Sequence, residues 1–447
     1  MEHGLHYYDS RTATKEEFLA DLTPFPMKSE NVCSKGGPVL FRENEQVYTD
    51  PGDLHDLIIG NTGSMKTLRF VLPLIYSTAM AGEVMVIVDP KGELSRKTGS
   101  FLNKKGYKVS VLNWRNPRMS RDKWNPMGRI NKLYRRGKNR REDAINELND
   151  LLDTLFFQRS TADKDKYWNE SAGRLALGLC KLILAVGEKL SVRTLLEWKN
   201  GKLKDGTVKK CYEALGGDSD IYQNLSGYMS LTAENTKTCI ESTFDQLTGI
   251  FSSSKSLLNM MSEDSIDLTD LAMGKKAIFL VVPDEKTTYH FLAALFVKQC
   301  YEILLEKAEG NHGTLPVRVN FIMEEFCNMP KLNDLTAMLT AARSRNIRFH
   351  LVVQSYSQMV DKYGESISKT IIDNCGNLIY LHTNEVSFLE YISRLAGTNE
   401  YGRPLVSVSR LQHLQKNETL IFHDRCYPFL VQDLPLIFEY PICLDRV

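Results

Sequence analysis

The sequence has no apolar run near the ~20 residues that cross a bilayer. Its longest candidate, LALGLCKLILAV at 175–186, has the length of a buried helix. The opening stretch, MEHGLHYYDSRTATKEEF, contains no apolar segment of the kind a secretory leader needs. Charge of one sign is also missing: the net is +1 over 447 residues. No global field therefore draws the chain to nucleic acid or membrane, although a local basic patch is still compatible with either. The nine cysteines are scattered, with no C-x-x-C and no His/Cys spacing suited to zinc. They read as reduced thiols of a cytoplasmic protein. Internal repeats and low-complexity stretches are absent. What is present is ordinary: 43% hydrophobic and 25% charged residues. That is enough for a sizeable core, and the length suits two or three domains, or one large domain with an insertion.

Along the chain, residues 1–37 are polar and irregular and read as an arm. Two short β-like runs follow within 37–54. The pattern then alternates: a buried strand at 54–60, a helix at 66–81, a continuous apolar strand at 83–90, a helix at 93–105 and a strand at 107–114. Continuous apolar strands separated by helices predict a doubly wound, mainly parallel α/β sheet. From about 127 to 270 the strands stop and amphipathic helices take over. Alternation resumes with strands at 276–284, 317–326, 347–355 and 377–383. The predicted organisation is an arm (1–37), a first α/β part (38–127), an inserted all-α domain (128–270) and a second α/β part (271–447).

The segment GNTGSMKT, 60–67, lies between a strand and a helix. It matches the phosphate-binding pattern G-x-x-x-x-G-K-[ST] except at one place, where Met65 stands for glycine. Such a loop wraps phosphates with backbone N–H groups at a helix N-terminus. Gly60, Asn61, Thr62, Gly63, Ser64 and Met65 would form the wrap. Lys66 would reach the β- and γ-phosphates and the Thr67 hydroxyl would ligate Mg²⁺. A side chain at position 65 costs ~1–3 kcal/mol if the loop demands a positive φ there. A second strand, VNFIMEEF, runs into Glu324 and Glu325. In an ATPase, one acid at such a strand end helps to hold Mg²⁺ and another activates the attacking water. Glu324 takes the first role, where aspartate is usual, and Glu325 that of general base. TAARSRNIRFHLVVQS, 340–355, places three arginines before a strand that ends at Gln354. An arginine can stabilise a neighbouring subunit's transition state, and a strand-end glutamine can sense the phosphate.

Together these stretches resemble the type IV coupling proteins, the hexameric RecA-like ATPases of bacterial conjugation and type IV secretion. The resemblance runs from about residue 38 to 435. It rests on GNTGSMKT, VDPKGEL (88–94), WNPM (124–127), FIMEEFCNMPKL (321–332), LVVQSYSQM (351–359) and NCGNLIYLHTNE (374–385). It implies ATP and Mg²⁺ as ligands and a RecA-like P-loop fold interrupted by the helical insert. By resemblance Glu325 is the catalytic glutamate, Arg343 the inter-subunit finger and Gln354 the sensor, while Asp89 and Lys91 match a D-x-K-G-E stretch. Met65 and Glu324 depart from the family pattern, which leaves open a slow ATPase or a nucleotide-binding adaptor. An FtsK-type DNA pump is a further alternative.

The family implies single-stranded DNA with an attached relaxase as cargo, a homo-hexamer and a secretion channel as partner. Family members usually begin with membrane-spanning helices. Here 59 residues precede the loop, none of them membrane-spanning, so either that portion is missing or a membrane-anchor protein recruits the chain to the cytoplasmic face of the membrane. Two basic stretches, YRRGKNRRED (134–143) and KNGKLKDGTVKK (199–210), are solvated faces or hold backbone phosphates. Arg135, Arg136, Lys138, Arg140 and Arg141 are the candidates for DNA or relaxase contact. Tyr134, Tyr167 and Trp168 either stack on bases or belong to the core.

Overall fold

The computed structural model describes residues 10–27, 35–156, 166–217, 219–283, 285, 287–332, 334–399, 401–442 and 444. The chain divides into two compact units, Met1–Arg115 with Asp267–Val447, and Asn116–Ile266.

The first unit holds β1 (Thr23–Pro26), β2 (Val39–Glu43), β3 (Gln46–Thr49), β4 (Asp56–Gly60), β5 (Val84–Val88) and β6 (Lys108–Asn113). After the insertion come β7 (Lys276–Val281), β8 (Val319–Met323), β9 (Ile347–Val353), β10 (Asn377–His382), β11 (Glu418–His423) and β12 (Phe429–Gln432). Among the described residues, nine strands form one sheet in the order β12-β11-β10-β4-β9-β8-β5-β7-β6. From β10 to β6 every pair is parallel; β11 and β12 add antiparallel strands at one edge. The central strands are buried throughout, as their largely apolar sequences require, with Asp56, Asn320, Arg348 and His350 the polar residues buried among them. The insertion leaves after β6 and returns before β7, its parallel neighbour.

β11 and β12 fall outside the strands expected from sequence, the last of which is 377–383. The arm also differs from expectation among its described residues. Helix Lys15–Leu19 is closed by a Thr14/Glu17 capping box, and β1 pairs with β3. Phe18 and Phe25 are fully buried in the main core. Two buried rings contribute ~3–6 kcal/mol together, enough to fold a mostly polar segment onto the unit.

At the N-terminal ends of the strands lies a buried ionic cluster. Arg348 on β9 reaches the Asp50 carboxylate at 2.5 Å and Asp56 on β4 at 3.1 Å. Asn377 on β10 donates to both carboxylates, at 2.7 Å each. His350 donates from Nδ1 to Asp56, and His423 on β11 contacts Asn377 at 2.6 Å. Burial works to raise the Asp56 carboxyl, but Arg348 and His350 outweigh it and hold it at about 2. Burial lowers His55, beside this cluster, to about 4.

Both folded values lie below the unfolded ones of ~3.9 and ~6.5. Their contribution is therefore complete above pH 6.5. It is lost first as pH falls from ~6.5 towards 4 through His55, then from ~3.9 towards 2 through Asp56. Asp56→Ala strips Arg348 of a buried partner and should cost ~3–5 kcal/mol in denaturant unfolding at neutral pH. A cost below 1 kcal/mol would show the cluster to be dispensable.

The second unit is helical, with no strand among its described residues. It takes in WNPM, which the sequence pattern leaves outside the insert. Asp264 accepts from the Asn125 N–H at 2.9 Å, and the Asn125 side chain donates to the Leu190 carbonyl at 2.9 Å. Gly128 follows because a Cβ there would collide with the Asp264 carboxylate. The unit runs from 116 to 266, against the 128–270 expected from the sequence.

Candidate nucleotide site

β4 ends at Gly60, where a Cβ would come within 2.6 Å of Ser64 Oγ and 3.1 Å of Leu381. The chain then loops through Asn61–Lys66 and enters a helical stretch, Thr67–Val71 followed by Leu72–Met80. The loop is pinned by the Asn61 N–H to the His382 carbonyl on β10 at 2.8 Å, and by the Ser64 N–H to the Asn61 carbonyl at 3.2 Å. The first N–H groups of the helix have no carbonyl upstream within it and face the loop, the ordinary means of holding an anion.

Met65 adopts φ +64° and Gly63 φ +84°. The loop thus takes the left-handed turn that glycine would take at 65, with a side chain in place. The cost is ~1–2 kcal/mol, held within an otherwise formed loop. Met65→Gly removes that strain and adds backbone entropy to the unfolded chain, which offsets ~0.5–1 kcal/mol of the gain. The expected outcome is a Tm within a few degrees of the native protein and nucleotide turnover within about tenfold. A turnover that appears only in Met65→Gly would mean that Met65 disables the loop.

Strand order assembles the rest. β9 lies between β4 and β8, so Gln354, just past β9, stands between the loop and the acids that follow β8. Gln354 Nε2 donates to Glu325 at 2.7 Å, and its Oε1 accepts from the Thr62 hydroxyl at 3.3 Å. Thr67 Oγ1 donates to Glu324 at 2.5 Å. Lys66 donates to the carbonyls of Gly60 and Asn61, the latter at 3.0 Å. Burial lowers its pKa against the attraction of Glu325 and Glu324. Burial raises Glu324 to about 7; the Thr67 hydrogen bond opposes this, and the Asp89 and Glu325 charges add to it. Glu325 itself sits at φ +52°, a strained conformation for a non-glycine residue and one common at reacting centres.

Asp89, the residue after β5, has a structural task. Its buried carboxylate accepts from the N–H groups of Glu93 (2.9 Å), Leu94 (3.2 Å) and Ser95 (2.8 Å), capping helix Glu93–Lys104. Lys91 is exposed and close enough to affect the titration of Lys66 and Glu324.

Of the three arginines, Arg348 is consumed by the buried cluster and Arg345 donates to the Ala341 carbonyl at 2.7 Å. Arg343 is exposed and pairs with Asp53 at 3.2 Å, at the N-terminal end of the sheet. It is not part of the constellation around its own loop.

Beside the loop opens a cavity of about 460 Å³. Asn61–Met65 form one wall, and Leu381, His382 and the segment Leu414–Lys416 with Glu418 form the others. The Ser64 hydroxyl in the first wall is buried and makes no hydrogen bond among the described residues. Sequence patterns miss the second wall. It lies some 350 residues downstream of the loop and carries no local signal.

A family model described as type IV secretory system conjugative DNA transfer matches residues 15–422. The chain belongs to this family, the type IV coupling proteins. It is 23% identical over 406 residues to the conjugal transfer protein TraG of Agrobacterium fabrum, covering 83% of this chain and 58% of that one. A TraG of Rhizobium radiobacter is 23% identical over 77% of this chain and 52% of its own length. The chain thus spans about half the length of the curated relatives it matches. Among solved structures, the plasmid coupling protein TrwB in complex with a non-hydrolysable GTP analogue superposes with TM-score 0.63 at 18% identity, covering 94% of this chain and 92% of that one. TrwB with an ATP analogue gives 0.62 at 17% identity, over 99% and 100%. These likenesses bear out the RecA-like P-loop fold.

Within the helical unit of this coupling protein, Arg135 ends helix Gly128–Arg135, and Lys138, Arg140 and Arg141 open helix Lys138–Phe156. These four and Arg136 are all exposed. Arg140 pairs with Asp143 at 2.9 Å, and Arg141 stacks over Tyr134, 4.8 Å from the ring centroid. Tyr167 is 58% exposed, not core, and meets Trp168 edge to face. The second basic stretch is less basic at its surface than its sequence suggests, because Lys199 is buried against Asp245 at 2.5 Å. No helix among the described residues is long and apolar enough to cross a membrane.

Proposed function

We propose that this coupling protein hydrolyses ATP and uses the energy to move single-stranded DNA, with an attached relaxase, towards a secretion or conjugation channel. The observation that carries the reading is the Thr62–Gln354–Glu325 chain beside the Thr67–Glu324 pair, at the C-terminal ends of three adjacent strands. Such ends are where open α/β sheets bind ligands. Lys66 and the loop N–H groups would hold the phosphates, and the cavity beside the loop has room for base and ribose. Thr67 and Glu324 suit a Mg²⁺ that takes most of its other ligands from phosphate and water. Bound there, Mg²⁺ would neutralise charge on the phosphates. Glu325, oriented by Gln354, would take the proton of the attacking water. Arg343 would act on the site of a neighbouring copy in a hexameric ring. TrwB, which shares the fold, has been captured with an ATP analogue and with ADP and Mg²⁺.

The left-handed Met65, and Glu324 where aspartate is usual, are the observations behind a second reading, a nucleotide-binding adaptor with little turnover. One assay separates the two: ATP hydrolysis with and without single-stranded DNA, with Lys66→Ala as the blank. Motor action requires turnover that DNA stimulates and Lys66→Ala removes. Changing Arg135, Arg136, Lys138 and Arg141 together to alanine should abolish the stimulation and flatten the salt dependence of DNA binding by up to ~0.7 per lost phosphate contact. DNA binding with an unchanged salt slope would remove the helical unit's basic surface from the mechanism.

A further inference from the structure

The helix after the phosphate loop begins irregularly. Thr67–Val71 is a π turn, a feature that often marks functional positions. In the middle of that turn Arg69 is only 5% exposed, an unusual place for a guanidinium. Its Nη1 donates to the Lys416 carbonyl at 2.5 Å. Burial lowers its pKa, against the attraction of the Asp433 and Glu439 carboxylates. Lys416 belongs to the second wall of the cavity beside the loop. Within the 414–418 segment other side-chain hydrogen bonds among the described residues run from the Gln415 N–H to Glu418 at 2.9 Å, from Arg410 to Glu418 at 2.6 Å and from Asn417 to Asp433 at 2.9 Å, while His382, also in this wall, meets the Asn61 side chain at 3.0 Å and the Gln412 carbonyl at 3.1 Å. Arg69 therefore ties the far wall of the cavity to the same helix that starts at the near wall.

We infer that Arg69 is a positioning residue for the nucleoside part of the substrate. It holds the 414–418 segment at a set distance from Asn61–Met65, so that the cavity grips base and ribose, and it does not touch the phosphates. This rests on the nucleotide reading of the loop; among the described residues the Arg69 side chain makes no hydrogen bond to that loop, and only its backbone N–H does, to the Met65 carbonyl at 2.9 Å. Charge-assisted hydrogen bonds to a carbonyl are among the stronger ones in proteins, so losing this tie should loosen the wall.

The test compares two ligands on the same protein, ATP and inorganic tripolyphosphate, both measured by competition against a fluorescent ATP analogue. For Arg69→Met, the ATP Kd should rise about tenfold, equivalent to ~1.4 kcal/mol. The tripolyphosphate Kd should stay within about twofold, and any turnover should show a raised KM with kcat nearly unchanged. Arg69→Lys, which can still donate to the Lys416 carbonyl, should recover most of the affinity. Equal losses for both ligands, or no loss for ATP, would overturn the inference. If Arg69→Met does not fold by circular dichroism, Arg69→Gln, whose shorter amide reaches less far, is read by the same ratio. Native protein that binds neither ligand overturns the nucleotide reading and this inference with it.

Discussion

Arg343→Ala should lower nucleotide turnover by about 10³–10⁵-fold while leaving nucleotide affinity within a few-fold, if the chain works as a ring. If Arg343 acts on nucleotide, the geometry requires that it do so on a neighbouring copy. Arg343 and Asp53 lie at the N-terminal end of the sheet, whereas Gln354 and the phosphate loop lie at the C-terminal end. β9 runs between them, and at ~3.3 Å per residue its length puts more than 20 Å between Arg343 and its own site. An arginine side chain reaches far less than that. The bond to Asp53 is no obstacle, because half-exposed ion pairs contribute only ~0–1 kcal/mol and a nucleotide's phosphates would compete well. Mixing provides the decisive form of the experiment. Arg343→Ala keeps its loop and Lys66→Ala keeps its finger, so mixed rings contain some interfaces with both. Partial recovery of turnover is expected on mixing the two inactive proteins. Absence of recovery, with both variants folded and assembled, would rule out action between copies.

Glu325→Gln should reduce turnover by about 10²–10⁴-fold, the usual worth of a positioned general base. Affinity for nucleotide should change little, because among the described residues Glu325 makes no hydrogen bond to the loop that would hold the phosphates and acts on Lys66 only through charge. The substitution retains a side chain that can bond to Gln354, so what it removes is the carboxylate's capacity to accept a proton. Gln354→Ala should produce a smaller loss, since Glu325 would remain as base without its orienting partner. The pair is informative in single-turnover measurements, where product release does not mask the chemical step. If Glu325→Gln turns over as fast as the native chain, the base lies elsewhere and the strained φ of Glu325 has another cause.

Much of the site is legible in the amino-acid sequence. Gly60, Gly63, Lys66 and Thr67 follow from the backbone demands of a phosphate loop between strand and helix. Glu324 and Glu325 follow from an apolar strand that ends in acid. The parallel sheet follows from strands apolar on both faces, and the helical insertion from a loss of strand periodicity over more than a hundred residues. All of these are local patterns, and local patterns are what neighbouring residues can determine.

Other features depend on which segments meet. No periodicity says that β9 slips between β4 and β8, yet that order brings Gln354 to both Thr62 and Glu325. Three arginines in one stretch look equivalent in sequence. Only the buried carboxylates of Asp50 and Asp56 remove Arg348 from contention and leave Arg343 exposed. Asp89 has the sequence context of a site residue, but its three backbone partners make it a helix cap. The polar arm joins the core through two phenylalanines whose partners lie far along the chain. The sequence by itself determined the phosphate loop, the acidic strand end and the alternation of elements, because each is set by residues within a few positions of one another. The tertiary structure alone decided the pairing of Gln354 with Glu325, the fate of each arginine and the cavity wall braced by Arg69. Those depend on contacts between segments tens to hundreds of residues apart, which only packing can select.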